Sequence, residues 1–278
     1  MSKKRFILFS QLCLLLCACS PFDNASESQS IDPNAQRYLI TFKDENGTIL
    51  QSSEFVEGSL PTYDGLLPTK ESDANYNYTF ASWYPEIEPV KENKTYTASY
   101  SKGNKELSLS YMYGSYRVTG INSDSIEDII IPSHYSTKEN GWSSVKMIND
   151  SAFAFKTSIK HVELGEKINT IGEFAFNYCR SLLSIELPNS LTTIKSYAFV
   201  DSMSLKSIVI PENVTTINQY AFTGCSSLTI FCKQDSPLTS WSSSWNSDNR
   251  PVYFFSKEQP SSNGNYWHYV NGVPTIWE

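Results

Sequence analysis

The chain has 278 residues, 40% of them hydrophobic and 14% aromatic, with 22 Lys and Arg set against 29 Asp and Glu. That is the composition of a soluble globular chain with enough apolar residues for real cores, and its wealth of aromatic, Ser, Thr and Asn residues favours strands and turns over long helices. A net charge of −7 argues against nucleic acid or anionic lipid as the main partner.

The first twenty residues, MSKKRFILFSQLCLLLCACS, join a basic start to an apolar run too short for a bilayer, which takes about 20 helical residues. They read as an export signal. Its end, Leu16-Cys17-Ala18-Cys19, resembles a bacterial lipobox, in which small residues precede a cysteine that receives diacylglycerol. The resemblance implies a signal peptide over 1–18 and a lipid on Cys19; Cys13 and Cys17 follow leucines and offer no small residue at the cleavage position. An ordinary signal peptide, cut without lipidation, is the alternative. Residues 19–36 then comprise the lipidated cysteine and a polar, aperiodic tether, SPFDNASESQSIDPNAQ. As a flexible coil it would hold the next domain roughly 20–25 Å from its anchor.

Residues 37–102 predict a small β domain. Tyr38, Ile40 and Phe42 alternate with Leu39, Thr41 and Lys43, and Asn46-Gly47 supplies the positive φ of a hairpin before a return strand from Thr48 to Val56. Two more strands are expected over Tyr76–Trp83 and Thr95–Tyr100, with Trp83 in the core. The order YLITFKDENGTIL, PTYDGLLPTK, YTFASWYPEIEPV, TYTASY resembles the Listeria-Bacteroides repeat, a β-grasp-like module of bacterial surface proteins. That resemblance implies a spacer or interaction unit without chemistry of its own. A calcium loop at Asp44–Gly47 lacks the ligands expected further along.

Ser101–Asn104 reads as a short hinge, and Leu107–Gly120 as a hairpin that opens the second domain, 103–235. There one sentence of sequence is written four times at a period of 23 residues, with copies starting at Val145, Ile168, Leu191 and Val214. Ala152, Ala175, Ala198 and Ala221 fall in register, each followed by phenylalanine, and so do Ile159, Leu182, Leu205 and Leu228. A fixed period of this length predicts a solenoid of short parallel strands, each coil burying its apolar face against the next. In one coil Leu205, Ile208 and Ile210 point inward and Ser207 and Val209 outward, Pro211 ends the strand, and the chain returns through Val214, Ile217, Ala221 and Phe222. Ser125–Pro132 is a degenerate first coil. Ten extra residues around His134–Trp142 separate it from the next copy and are expected in a surface loop.

The pattern I-x-x-I-x-x-x-A-F followed by S-L-x-S-I-x-[IL]-P resembles the BspA-like leucine-rich repeat of bacterial surface proteins. The expected fold is therefore mainly β: a leucine-rich-repeat solenoid preceded by a small β-grasp-like domain. Residues 236–278 are similar to the closing segment of many such proteins, with Trp241, Trp245, Tyr266, Trp267 and Trp277 covering the last coil. Lys195 and Asn218 depart from the family where glycine often follows the isoleucine.

Chemistry is hard to find. Cys179 and Cys225 share a repeat position two coils apart, too far for a disulfide, and Cys179, Cys225 and Cys232 are expected as buried free thiols. No cysteine–histidine spacing suggests zinc, and no cofactor or metal is implied. Asp128, His161 and Ser184 fall on equivalent positions of consecutive strands, in the order of a hydrolase triad, but on an open face whose backbone N–H groups are used in pairing. Glu163 and Glu186 form a second such row. The expectation is a monomeric, non-enzymatic protein, exported, lipid-anchored and surface-exposed, that binds an extracellular protein or glycan. Its candidate contacts are His161, Glu163, Ser184, Glu186, Ser207 and Val209, together with exposed aromatics of the tail. The resemblance implies adhesion or host binding; the alternatives are an architectural envelope spacer without a ligand and, third, a surface hydrolase.

Overall fold

The computed structural model describes residues 35–261 and 264–277, of which Arg37 onward forms one compact unit. The expected leader and Cys19 lie outside the described residues, as does nearly all of the tether.

Strands β1 (Arg37–Lys43) and β2 (Ile49–Val56) form the expected hairpin. Its turn is fixed by the Asp44 carboxylate, which accepts the N–H groups of Asn46 (2.9 Å) and Thr48 (2.8 Å), and by Gly47 at φ +89°. β3 (Tyr76–Tyr84) and β4 (Lys94–Asn104) complete a sheet of order β2-β1-β4-β3, in which β1 and β4 run parallel at the centre. Ile40, Phe42, Val90 and Tyr96 are its buried core, and Trp83 packs edge-on to Phe42 at 4.8 Å, as expected of a core aromatic.

The segment read as a hinge is strand. β4 pairs with β3 out to Asn104, opposite Tyr76, and its polar side chains face the repeats. Asn104 accepts the N–H of Ile130 (2.6 Å) and donates to the carbonyl of Asp128 (3.2 Å), so a side chain caps the open edge of the first repeat strand.

β5 (Leu107–Met112) and β6 (Ser115–Ile121) form a hairpin on Tyr113 and Gly114, both at positive φ as a two-residue turn requires. After β7 (Asp128–Ile130), the ten-residue insertion folds into a second hairpin, β8 (His134–Thr137) with β9 (Gly141–Ile148), and not into a surface loop. Within each following coil come a longer strand and a two-residue one: β10 (His161–Glu163) and β11 (Thr170–Ile171), β12 (Ser184–Glu186) and β13 (Thr193–Ile194), β14 (Ser207–Ile210) and β15 (Thr216–Ile217). The coils are thus held by two parallel ladders. β9-β11-β13-β15 is continuous at a register of 23 residues, whereas the other pairs β7-β10-β12 and then begins again at β14.

Inside, Phe153, Phe176, Phe199 and Phe222 stack at 5.3, 5.3 and 5.5 Å, almost completely buried. The alanine before each lets backbone approach backbone, and the N–H of each of the first three phenylalanines donates to the next coil's alanine carbonyl at 2.8 to 2.9 Å. Just before the alanine, Ser151, Phe174, Tyr197 and Tyr220 take φ between +56 and +58°, a left-handed turn repeated once per coil.

The tail covers the last coil and also extends it. Trp245 meets Phe222 edge-on at 6.1 Å and the Trp241 indole donates to the carbonyl of Val214, which closes the core. β16 (Thr229–Cys232), β17 (Val252–Phe255) and β18 (Tyr266–Val270) then continue the β14 ladder in parallel, and β19 (Val273–Ile276) folds back antiparallel.

Candidate functional site

Alternation along the three-residue strands sets the outward face. Val162 and Ile185 are buried, so their neighbours His161, Glu163, Ser184 and Glu186 are all exposed on the other side. Parallel pairing places His161 beside Asp128 and Ser184, and Glu163 beside Glu186, about one strand spacing (~4.8 Å) apart. Ser207 and Val209 lie on the same side of β14, beyond the interruption between β12 and β14. The structure therefore places all six predicted contacts on one face, four on hydrogen-bonded strands and two on the neighbouring β14, where the ladder bonds are interrupted.

The β module gives those four a wall. A cleft of about 450 Å³ runs between Tyr100, Ser101 and Lys102 of β4 and Glu163, Glu166 and Glu186 of the repeats. A second space of about 340 Å³ shares Glu163 and Glu186 and reaches Tyr76, Asp128, His161 and Ser184. Lys102 is held with its Nζ 5.3 Å from the centre of the Tyr76 ring, so the module contributes two tyrosines and one cation. Asp128, Glu163, Glu166 and Glu186 take part in no ion pair among the described residues, which leaves the groove acidic.

Past the interruption the same face turns aromatic. Val209, Phe231 and Tyr253 are register partners, Phe231 stacks on Tyr253 at 5.9 Å, and Phe255 pairs with Trp267. Trp267 is fully buried here, on the outward side of the ladder. It contacts Phe231, Phe255 and Tyr269 at 5.4, 5.2 and 4.8 Å and donates its indole N–H to the carbonyl of Cys232. Tyr253, Phe255 and Tyr269 stay partly exposed around it. The unbroken aromatic run Tyr253-Phe254-Phe255 was the available signal for this strip; nothing local marks Tyr76, Tyr100 or Lys102, which arrive from the β module.

The hydrolase arrangement is only half assembled. His161 Nδ1 lies 2.8 Å from Ser184 Oγ, but no hydrogen bond joins the Asp128 carboxylate to the imidazole. The N–H groups of Leu183 and Ser184 both donate to the carbonyl of Lys160, so neither is free for an oxyanion. Among the described residues no group of three or more His, Cys, Asp or Glu could hold a metal ion.

The three remaining cysteines are buried and unpaired. Cys179 and Cys225 donate to the carbonyls of Phe153 (3.1 Å) and Phe199 (3.0 Å), and at the same repeat position Ser202 donates to Phe176 (2.8 Å). Cysteine and serine thus serve alike as donors in three coils, while Lys156 occupies the position in the first copy and reaches Ser123 and Asp124 instead. Burial pushes all three thiols up to about 12.

Residues 146–244 match the BspA type leucine rich repeat region, in six copies, so the repeat segment is of that type. Solved structures similar to this chain include a leucine-rich-repeat protein of T. pallidum at 25% identity, covering 55% of this chain and 69% of that one with a TM-score of 0.48. Another, from Bacteroides capillosus, is also 25% identical and covers 48% of this chain and 93% of that one, with a TM-score of 0.40. Among curated proteins there is no match.

Proposed function

We propose that this chain is a lipid-anchored protein of the bacterial surface whose repeat ladder binds a protein or glycan partner and does no chemistry on it. The observation that carries this reading is the single outward strand face, acidic and walled by the β module at one end and aromatic at the other. A solenoid offers such an extended surface with little enclosed volume, which suits a macromolecule better than a small substrate. Leucine-rich-repeat surface proteins of this type are compatible with adhesion. Lipid on Cys19 would anchor the chain, residues 20–36 would act as a stalk, and the module at Arg37–Lys102 would serve as a spacer of the Listeria-Bacteroides kind. An architectural spacer without a ligand would need a bland face, and the Tyr253, Phe255 and Tyr269 strip favours binding instead.

The decisive experiment coats beads with the wild-type protein and measures adhesion to epithelial cells, matrix proteins and a glycan array. Binding that is lost in Glu163→Lys/Glu186→Lys or in Tyr253→Ala/Phe255→Ala supports the reading. Coated beads that adhere no better than bare ones would sink it. Anchoring has its own test: Cys19→Ser should move the protein from the membrane fraction to the soluble one and abolish fatty-acid labelling.

A further inference from the structure

Each of the two ladders of the repeat domain has two ends, and among the described residues three of these four ends are closed by a specific device. At β7 the Asn104 side chain pairs with the N–H of Ile130 and the carbonyl of Asp128. At β15 the Ser242 N–H and the Ser240 hydroxyl donate to the carbonyls of Ile217 and Thr215. At β19 the Trp277 N–H donates to the carbonyl of Tyr266, so by alternation Pro274 and Ile276 are the residues turned to the open side, and proline has no N–H to present there. Open strand edges recruit other strands, and such caps and prolines prevent it.

β5 is the end left open. Val118 of β6 gives its carbonyl to the N–H of Asn149, just past β9, at 2.8 Å, so by alternation the bonds between β6 and β5 run through Ser110 and Met112. Leu109 and Tyr111, opposite Val118 and Tyr116, aim their N–H and C=O groups away from the sheet, and no hydrogen bond from the described residues reaches them. The extra residue of the bulge in this pair, Thr119, belongs to β6, and β5 itself stays extended. From Leu107 to Tyr116 there is no Asp, Glu, Lys, Arg or Pro to blunt the edge. Its tip is apolar: Tyr111, Met112 and Tyr113 are 37, 43 and 93% exposed, with Tyr111 braced edge-on against Tyr116 at 5.1 Å.

We propose that β5 is a docking edge for an extended strand of a partner protein, which joins the sheet through main-chain hydrogen bonds to Leu109 and Tyr111. Donors and acceptors repeated at every second residue along an edge are met by another strand and by no compact ligand. Side chains narrow the choice. Leu107, Leu109 and Tyr111 lie on one side of β5, and Ser108, Ser110 and Met112 on the other. The strand that fits therefore alternates apolar with small polar residues and carries no charge at its centre. This edge belongs to the second ladder, so it is a surface separate from the outward face of His161 and Glu163.

The test adds an end-blocked peptide copying residues 107–112, whose alternation about Leu109 reads alike in both directions, to the full chain in detergent. Hydrogen exchange is read residue by residue by mass spectrometry with electron-transfer fragmentation. In the free protein the amides of Leu109 and Tyr111 should exchange fast and those of Ser110 and Met112 slowly. With peptide at about ten times its Kd, the first two should gain about tenfold protection. The same peptide N-methylated along its backbone keeps its side chains and should not bind. Tyr111→Ala keeps the outward N–H, whereas Tyr111→Pro deletes it without removing a bond to β6 and should bind the peptide roughly tenfold more weakly than Tyr111→Ala. Both variants should keep their protection over 170–217, and the N-methylated peptide needs no variant at all. Unchanged exchange at Leu109 and Tyr111 up to the solubility limit of the peptide would overturn the docking edge. So would equal binding of the N-methylated peptide, or equal affinity in the two variants. A full chain that sediments as a dimer, and as a monomer in Tyr111→Pro, would overturn it too, by making a second copy the occupant. None of these readouts depends on what the outward face binds.

Discussion

Phe176 and Phe199, 23 residues apart in sequence, stack at 5.3 Å with their planes 5° apart and neither exposed to solvent. Each ring is the floor of one coil and the ceiling of the next. Phe199→Ala would remove the ring from the middle of the column, where neighbours in both directions are fixed by the ladders and cannot collapse. A loss of about 3–5 kcal/mol is expected, measured as a fall in the urea midpoint at unchanged slope. Phe199→Leu should cost clearly less.

Cys225 and Ser202 do the same job one coil apart, each donating to a phenylalanine carbonyl. Cys225→Ser keeps a donor and should therefore change stability least, whereas Cys225→Val removes one of two donors to the Phe199 carbonyl, the other being the Ser202 N–H, and should cost about 0.5–1.5 kcal/mol more than Cys225→Ser. A calorimetric comparison of the two variants decides this.

The three thiols should be silent in the native state. With burial holding Cys179, Cys225 and Cys232 at about 12, none carries appreciable thiolate at pH 8. Iodoacetamide should leave all three unmodified by peptide mass spectrometry until denaturant is added, after which all three should react.

Glu163 and Glu186 face the solvent as direct strand partners, a like-charge pair of the kind that destabilises a ladder. Glu186→Gln should raise stability by about 0.2–1 kcal/mol at low salt, and the gain should shrink as salt screens the pair. Thermal melts at two ionic strengths test it.

Trp267 makes the tail part of the solenoid, through its bond to Cys232 and its contacts with Phe231, Phe255 and Tyr269. Trp267→Ala should cost about 3–5 kcal/mol. Its exchange signature should be loss of protection in 229–232 and 252–255 before the coils around Phe176.

The periodic residues were legible because they answer to one constraint repeated every 23 positions. Ala175, Phe176, Leu182 and Ile185 must each meet their copies in the next coil, so composition and spacing repeat together. The second ladder was not legible: Thr170–Ile171 and its copies are two residues long, too short to alternate, and are strands only because the neighbouring coils pair with them. Ser101–Asn104 reads as a hinge because it carries no apolar side chain and includes Gly103. The side chains of Ser101 and Asn104 serve the backbone of the repeats, a use that no local pattern encodes.

The same division applies to the candidate site. Sequence alone determined the inward faces, and through alternation it put His161, Glu163, Ser184 and Glu186 on one open side, because burying one residue of a strand exposes its neighbours. Tertiary structure decided what stands opposite them. Tyr76, Tyr100 and Lys102 form a wall because β4 runs on into the repeats and Trp142 reaches back to Phe80 across 62 residues. The aromatic strip formed in the same way, when the tail paired with Thr229–Cys232 and placed Tyr253 beside Phe231. Contacts between distant segments depend on where the chain is brought back, and that is set by hydrogen bonds and packing that exist only once the coils are stacked.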